Sequence, residues 1–286
     1  MRTPSRIIRL SIVLTLALLA TACGGDDGDD GEAAPSTEAT PETTVDSTDE
    51  PADDNTGADE PAADQPAGYT GEVAALVVRR ITGELDDFIA TRDAYVEDLE
   101  AQAGIVADRE FQSFLSFTTF DQPDPAVYIG LTEGRSTAEF SASADAVEPA
   151  RTEAYFPTFE IEVFDLLAPL DQTTPVDISE IAVGDGQVLE VAWRDLNAYD
   201  DFDQAAYEAA RDAYLEELSA FDGWVAEYQW VSSVGSGIVV GMTVYESADA
   251  FQAIATDVDF TASDVYQGFV GGYPIQGGYA SVSVKP

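Results

Sequence analysis

The segment RDAYVEDLEAQAG at residues 92–104 recurs as RDAYLEELSAFDG at residues 211–223, with eight of 13 positions identical. A second match follows in the same order, because Gly-x-Thr at 130–132, Ser136 and Phe140 are repeated at 241–243, Ser247 and Phe251. Two ordered matches are the signature of an internal repeat. The sequence therefore predicts a duplication, with each copy about 100 residues long.

Each copy predicts the order βαββαβ. Short β-rich runs open the copies at 76–81 and 188–193, and apolar residues at helical spacing follow them. Gly104 and Gly223 are predicted to cap these helices at the C-terminus. Ser136 and Ser247 are predicted to start a second helix in each copy. The remaining strands are predicted at 109–115, 127–132, 158–166, 228–234, 238–245 and 279–284.

A βαββαβ unit is ferredoxin-like. The junction Thr243, Tyr245, Ser247 and Phe251 resembles the dimeric α/β-barrel superfamily, and most closely its antibiotic-biosynthesis-monooxygenase-like (ABM-like) domains. This resemblance implies an α+β fold in which two such sheets pair into one barrel. For a duplicated chain it implies an intrachain pseudo-dimer, with a pocket between the sheet and the helices of each copy.

Members of that superfamily often carry a histidine in the second helix, near the positions of Ser143 and Ile254, but this chain has no histidine. Gly134 also replaces the aromatic residue that Tyr245 supplies in the second copy. The resemblance therefore favours cofactor-free oxidation of an aromatic substrate over haem chemistry. The residues that it marks as catalytic candidates are Trp193, Arg194, Asn197, Trp230 and Tyr245. The alternative is that these residues only pack in the core and at its edge.

The absence of histidine excludes Ser-His-Asp relays, His-ligated zinc and haem held by a proximal histidine. No metal or other cofactor is therefore predicted. The chain has 55 acidic and 12 basic side chains, and this charge of -43 repels nucleic acid. A single cysteine also excludes an intramolecular disulfide.

The N-terminus predicts export and lipidation. Three arginines precede an apolar run at 10–22 that is short for a membrane span, which needs roughly 20 residues. The run ends in Ala-Thr-Ala before Cys23, which resembles the lipobox of bacterial lipoproteins. We therefore expect a signal peptide at 1–22 and a lipid on Cys23 that anchors the protein to the bacterial cell membrane, facing the extracytoplasmic side. A buried, unmodified Cys23 is the alternative.

A disordered tether is predicted at 23–70, because residues 24–70 contain 15 acidic side chains, no basic ones and five prolines. Repeat 1 is then expected at 71–171, a linker at 172–185 and repeat 2 at 186–286. The repeats and linker hold 40 acidic and nine basic side chains. Such a surface indicates adaptation to salt or, alternatively, a surface that gathers cations or cationic ligands.

Arg92 and Arg211 occupy identical places in the repeated segment. They could recruit an anionic ligand to each copy, or they could form salt bridges with neighbouring carboxylates. Two functions remain open after these considerations. The first is a lipid-anchored, non-catalytic module that binds a small molecule or acts as a scaffold. The second is an exported, cofactor-independent monooxygenase-like enzyme that acts on an aromatic substrate.

Overall fold

The computed structural model describes residues 69–170, 177–199 and 201–285. The predicted signal peptide, Cys23 and nearly all of the predicted tether lie outside these residues. The strands are β1 (Val73–Ile81), β2 (Ile105–Ser116), β3 (Val127–Gly134), β4 (Phe159–Pro169), β5 (Val188–Asp195), β6 (Trp224–Ser232), β7 (Ile238–Tyr245) and β8 (Gly277–Lys285). The α-helices are α1 (Leu85–Glu100), α2 (Thr137–Ala146), α3 (Pro149–Tyr155), α4 (Gln204–Leu218), α5 (Ala248–Ala255), α6 (Val258–Thr261) and α7 (Asp264–Tyr266).

The eight strands form one closed antiparallel barrel in the order β1-β3-β2-β8-β5-β7-β6-β4. The first half, β1 to β4 with α1 to α3, supplies four adjacent strands, and the second half, β5 to β8 with α4 to α7, supplies the other four. β2 pairs with β8 at one junction, and β4 pairs with β6 at the other. The α+β class and the closed barrel that the sequence predicted are confirmed.

Corresponding residues take corresponding places in the two halves. Arg92 is the eighth residue of α1 and Arg211 the eighth of α4, while Phe140 and Phe251 are each the fourth residue of the next helix, α2 and α5. The pairing register also shifts near the start of β2, where it pairs with β3, and near the start of β6, where it pairs with β7. The two halves thus share both their order of elements and this irregularity.

The helix starts and ends follow local side-chain chemistry. Ser136 accepts a hydrogen bond from the backbone N–H of Glu139, and Ser247 accepts one from Ala250, so both predicted N-caps are confirmed. The predicted C-cap glycines are wrong, because α1 ends at Glu100 and α4 at Leu218. A Cβ on Gly104 would lie 2.6 Å from the carbonyl oxygen of Glu139. That glycine instead allows the chain to pass closely beneath α2.

The barrel interior is filled by apolar side chains from every strand. Trp193 and Trp230 lie in it, at 7% and 2% exposure, and both are next to Val240 in the strand register. Ile178 and Ile181, from the segment predicted as a linker, are fully buried in the same cluster. These two residues therefore belong to the core. Burying such aliphatic side chains stabilises the fold by roughly 1.5–3 kcal/mol each.

The helices cover the outer face of the barrel. Separate apolar clusters form beneath them, for example Phe88 with Tyr155 in the first half and Tyr207 with Phe269 in the second. Within the described part of the chain, no helix is both long and apolar enough to cross a membrane. The side chains between the sheet and the helices differ between the two halves.

Candidate functional site

Strand alternation separates the side chains of β5 into two sets. Val191 and Trp193 belong to the barrel interior, whereas Glu190, Ala192 and Arg194 point to the opposite face, toward the helices. The same alternation in β6 and β7 brings further polar and small residues to that face. The candidate site, called here the second-half pocket, is formed by Glu190, Ala192, Glu227, Gln229, Gly241 and Thr243.

Two carboxylates flank a threonine across three strands of this pocket. Thr243 is directly opposite Glu190 on one side and Glu227 on the other. Its hydroxyl donates a hydrogen bond to Glu227 Oε2 at 2.5 Å. The hydroxyl of Tyr245 donates one to Glu190 Oε2 at 2.6 Å. Both carboxylates are thus held in place by hydroxyl donors, which contribute no positive charge.

Two of the three adjacent positions along these strands are small. Ala192 and Gln229 are both paired with Gly241, whose missing side chain leaves room above the sheet. A Cβ added to Gly241 would meet Gln229 Nε2 at 3.1 Å and Glu227 Oε1 at 3.4 Å. The heads of these two side chains therefore extend over the glycine.

The centre of this face remains accessible to solvent although helices cover the sheet. Glu190, Ala192, Glu227, Gln229 and Gly241 each keep a partly exposed surface, whereas the interior-facing residues beside them are mostly buried. These five residues are contiguous in the register. Their shared exposure shows that solvent reaches this part of the sheet, although Thr243, between the two glutamates, is buried.

Aromatic residues form the helical side of the pocket. The Tyr214 ring of α4 lies 5.1 Å from Phe269 and 6.1 Å from Tyr266, measured between ring centroids. Burial, and then the charges of Glu190 and Glu227, raise the pKa of Tyr214 well above its usual value. The charges of both carboxylates therefore act on the phenol of Tyr214.

Burial dominates the electrostatics of the two acids. It raises the pKa of Glu227 to about 8, and the nearby charge of Glu190 adds to this rise. It also raises the pKa of Glu190, although the hydrogen bond from Tyr245 opposes the shift. Two acids with raised pKa values in one pocket can hold and transfer a proton near neutral pH, or bind a ligand that supplies positive charge.

The corresponding space in the first half is filled. Arg79 has 1% exposure and donates to Glu110 Oε2 at 2.5 Å and to the hydroxyl of Tyr155. A Cβ on Gly130, the counterpart of Gly241, would lie 2.7 Å from Arg79 Nη2. The acid opposite Thr132 is Asp108, which is 5% exposed, and burial raises its pKa to about 7. The chain's own guanidinium thus closes this half.

The five catalytic candidates do not form one cluster. Trp193 and Trp230 face the barrel interior, on the opposite side of the sheet from the pocket. Arg194 and Tyr245 border the pocket. Asn197 lies in a loop, where its Nδ2 donates to the carbonyl oxygen of Ser236 at 3.0 Å. A catalytic role for any of them stays a prediction, but all five cannot contact one substrate in this arrangement.

Arg92 and Arg211 have matching surroundings. Each donates from Nε and Nη2 to Oδ1 of the aspartate that follows it, Asp93 or Asp212, at 3.0 and 2.7 Å. The Arg92 guanidinium also stacks 5.7 Å from the centre of the Phe88 ring. These contacts are the salt bridges that the sequence offered as one alternative. An anionic ligand at either arginine stays a prediction.

Sequence reasoning missed Glu190 and Glu227, because it placed most acids on hydrated surfaces. A signal was present, since each glutamate interrupts a strand that is otherwise largely apolar or aromatic. Among the residues that the structure describes, no group of three or more acidic side chains is arranged to hold a metal ion. The two carboxylates and the aromatic residues are the main features of the second-half pocket.

No protein-family model matches this chain. No curated protein matches it either. Solved structures do resemble it in fold. A proposed monooxygenase from Fusobacterium nucleatum is 9% identical, with a TM-score of 0.47, and the match covers 76% of this chain and 94% of that chain.

A variant of chlorite dismutase from Candidatus Nitrospira defluvii is 8% identical, with a TM-score of 0.46, covering 76% and 92% of the two chains. A dye-decolorizing peroxidase from Bacteroides thetaiotaomicron is 10% identical, with a TM-score of 0.46, covering 76% and 94%. At this identity and at TM-scores below 0.5, the likeness assigns no family to this chain. It assigns no activity to the second-half pocket.

Proposed function

We propose that this protein is a lipid-anchored, extracytoplasmic binding protein that holds a small molecule in the second-half pocket. One observation carries the proposal: a contiguous polar patch remains accessible beneath the helices of the second half, where the first half is filled by Arg79. A concave site with aromatic walls and a few convergent polar groups is typical of ligand pockets.

The difference between the two halves supports a separate role for each half. We propose that an internal duplication produced the halves, in agreement with the repeated segment at 92–104 and 211–223 and the matched positions of its arginines. In the first copy Arg79 fills this space, and that copy serves as a structural support. The second copy retained the binding site, and the N-terminal lipobox-like sequence at Cys23 attaches both to the membrane.

Mass spectrometry of small molecules that co-purify with the full chain tests this proposal. The chain would be extracted from bacterial membranes in detergent, and its bound molecules released by denaturation. We expect one molecular species with the wild-type protein and none with a Gly241→Leu variant, whose side chain would fill the pocket. Gly268→Leu is the matched control, because a Cβ at Gly268 meets nothing within 4 Å.

Two outcomes would contradict a binding role for this pocket. The first is a wild-type protein that carries no small molecule. The second is equal recovery of the same molecule from Gly241→Leu and the control, which would place the ligand elsewhere. Circular dichroism of both variants would establish that the substituted chains are folded before their ligands are compared.

The second candidate function is cofactor-independent oxidation of an aromatic substrate. The observation that favours it is the raised pKa of Glu227, about 8, beside Glu190, because a base working near neutral pH needs a pKa in that range. The base would remove a proton from an activated CH₂ group, and the carbanion would react with O₂. The carbon would become a carbonyl, and the second oxygen atom would leave as water.

Oxygen uptake with an anthrone as substrate tests this second function. The enzyme hypothesis predicts steady uptake that Glu227→Gln abolishes while the protein stays folded. Absence of uptake above the uncatalysed rate with the wild-type chain would contradict this function.

A further inference from the structure

The first half shows what kind of group fits the space above the sheet. The Arg79 guanidinium occupies that space, held by Glu110 at 2.5 Å and by the Tyr155 hydroxyl. Its central carbon lies 5.6 Å from the centre of the Phe88 ring and 6.0 Å from that of Phe159. A planar cation thus sits among carboxylate, hydroxyl and aromatic groups, an environment that stabilises guanidinium ions.

The second half has the same kinds of groups, but the arginine at the equivalent strand position makes other contacts. Arg194 is at the strand position of Arg79, yet its Nε donates to the carbonyl oxygen of Tyr273 at 2.7 Å. Its guanidinium stacks 4.4 Å from the centre of the Phe269 ring. Arg194 is therefore held at one end of the pocket and does not lie between the two glutamates.

The neighbouring substitutions move one acid to another strand without changing the number of acids, because Gln229 stands where the first half has Glu110. Ala192 stands where the first half has Val77, and Glu190 stands where it has Ala75. Within the described ranges, neither Glu190 nor Glu227 forms an ion pair with a basic side chain. Their hydrogen bonds come from uncharged hydroxyl and amide groups, and the charge of Arg194 only partly offsets the rise that burial causes in the pKa of both acids.

We propose that the second-half pocket binds the cationic end of an organic molecule, an amidinium, guanidinium or ammonium group, between Glu190 and Glu227. This inference rests on the proposed binding function and specifies its ligand class. The bound cation takes the place that Arg79 occupies in the first half. The apolar part of the ligand packs against the ring of Tyr214, and the acidic surroundings of the protein attract the positive charge.

Isothermal titration calorimetry on the full chain in detergent tests the ligand class with three probes of one shape. Benzamidine carries a planar cation, benzamide is its neutral counterpart, and benzoate is an anion. We expect benzamidine to bind at least about tenfold more tightly than benzamide, since charge-assisted hydrogen bonds are stronger than neutral ones. Benzoate should not bind.

Glutamine variants locate the site. Glu190→Gln and Glu227→Gln should each weaken benzamidine binding about tenfold while changing benzamide binding little. Glu160→Gln is the matched control, because Glu160 is exposed on β4 in the first half. It should leave benzamidine binding unchanged. Circular dichroism establishes that the variants are folded, and the comparison of the three probes on the wild-type protein needs no variant.

The outcomes separate this inference from the proposed function. Equal binding of benzamidine and benzamide, or benzamidine binding that both pocket variants leave unchanged, overturns the cationic ligand. Displacement of benzamidine by millimolar Ca²⁺ through the same glutamates would replace an organic cation with a metal ion, and also overturns it. If a neutral or anionic molecule co-purifies and is lost in Gly241→Leu, the binding function stands and the cation inference fails.

Discussion

Replacing Glu110 by glutamine should destabilise the fold more than any comparable substitution in the second half. The Arg79 and Glu110 side chains are each only 2% exposed, and their charged atoms are 2.5 Å apart. Burial alone would lower the pKa of Arg79, but Glu110 and Tyr155 outweigh it and raise that pKa. Glutamine keeps the shape of the side chain, so the change removes mainly the charge that compensates the guanidinium.

Breaking a buried ion pair on one side costs about 3–5 kcal/mol, because the remaining charge stays buried without its partner. We therefore expect Glu110→Gln to lower the free energy of unfolding by about 3 kcal/mol or more. Urea denaturation of the full chain, followed by tryptophan fluorescence, measures the change. Gln229→Ala, at the equivalent position of the second half, should cost less than about 1 kcal/mol because the pocket there is open to water.

The double variant Arg79→Met with Glu110→Leu is the control. Replacing both charges by apolar groups of similar volume is often neutral, so this variant should recover most of the lost stability. A loss below about 1 kcal/mol for Glu110→Gln would refute the reasoning, because Arg79 would then not be a buried charge held by Glu110. The claim that its guanidinium fills the first-half pocket would fail as well.

Three further predictions concern the pocket, the glycines and the anchor. Burial raises the pKa of Glu227 from 4.5 to about 8, so the folded state holds a proton that the unfolded state loses, and stability falls as pH rises through this window. Solvent contact reduces this loss of stability to on the order of 2 kcal/mol, and Glu227→Gln should remove the loss. The variant should therefore denature at higher urea than wild type at pH 9 but not at pH 4. A urea midpoint below that of wild type at pH 9 would contradict this prediction. In the same assay, Gly130→Ala should lower the free energy of unfolding by about 1–3 kcal/mol, because its Cβ would lie 2.7 Å from Arg79 Nη2. Gly241→Ala should cost less than about 1 kcal/mol, because its Cβ would lie 3.1 Å from the flexible amide of Gln229. Equal losses of stability would argue against the difference between the halves. Cys23→Ala should release the protein from the membrane fraction or leave it uncleaved, because a lipid anchor supplies the membrane affinity; cell fractionation that shows unchanged processing and retention would exclude lipidation.

The sequence was sufficient for the architecture because repeats, strand alternation and serine caps are local signals. The repeated segment predicted the matching order of elements, and Ser136 and Ser247 begin their helices as expected. The C-cap glycines failed because Gly104 serves a contact with α2, which is distant in sequence. A glycine required by such packing has the same sequence signal as a glycine that ends a helix.

The site could not be predicted because it depends on which face of each strand a residue occupies. Trp193 and Arg194 are adjacent in the sequence, yet one enters the barrel core and the other borders the pocket. Glu190 and Glu227 come together only through Thr243, on the strand between them. Register across three strands fixes that cluster, and a single sequence does not contain the register.

A high-resolution crystal structure of the full chain tests the central claim most directly, since the claim concerns which half is open. In the first half, we expect electron density that places the Arg79 guanidinium against the Glu110 carboxylate. In the second half we expect ordered water or a bound molecule between Glu190 and Glu227. A second half in which the Arg194 side chain lies between these two glutamates and fills the space would contradict the account.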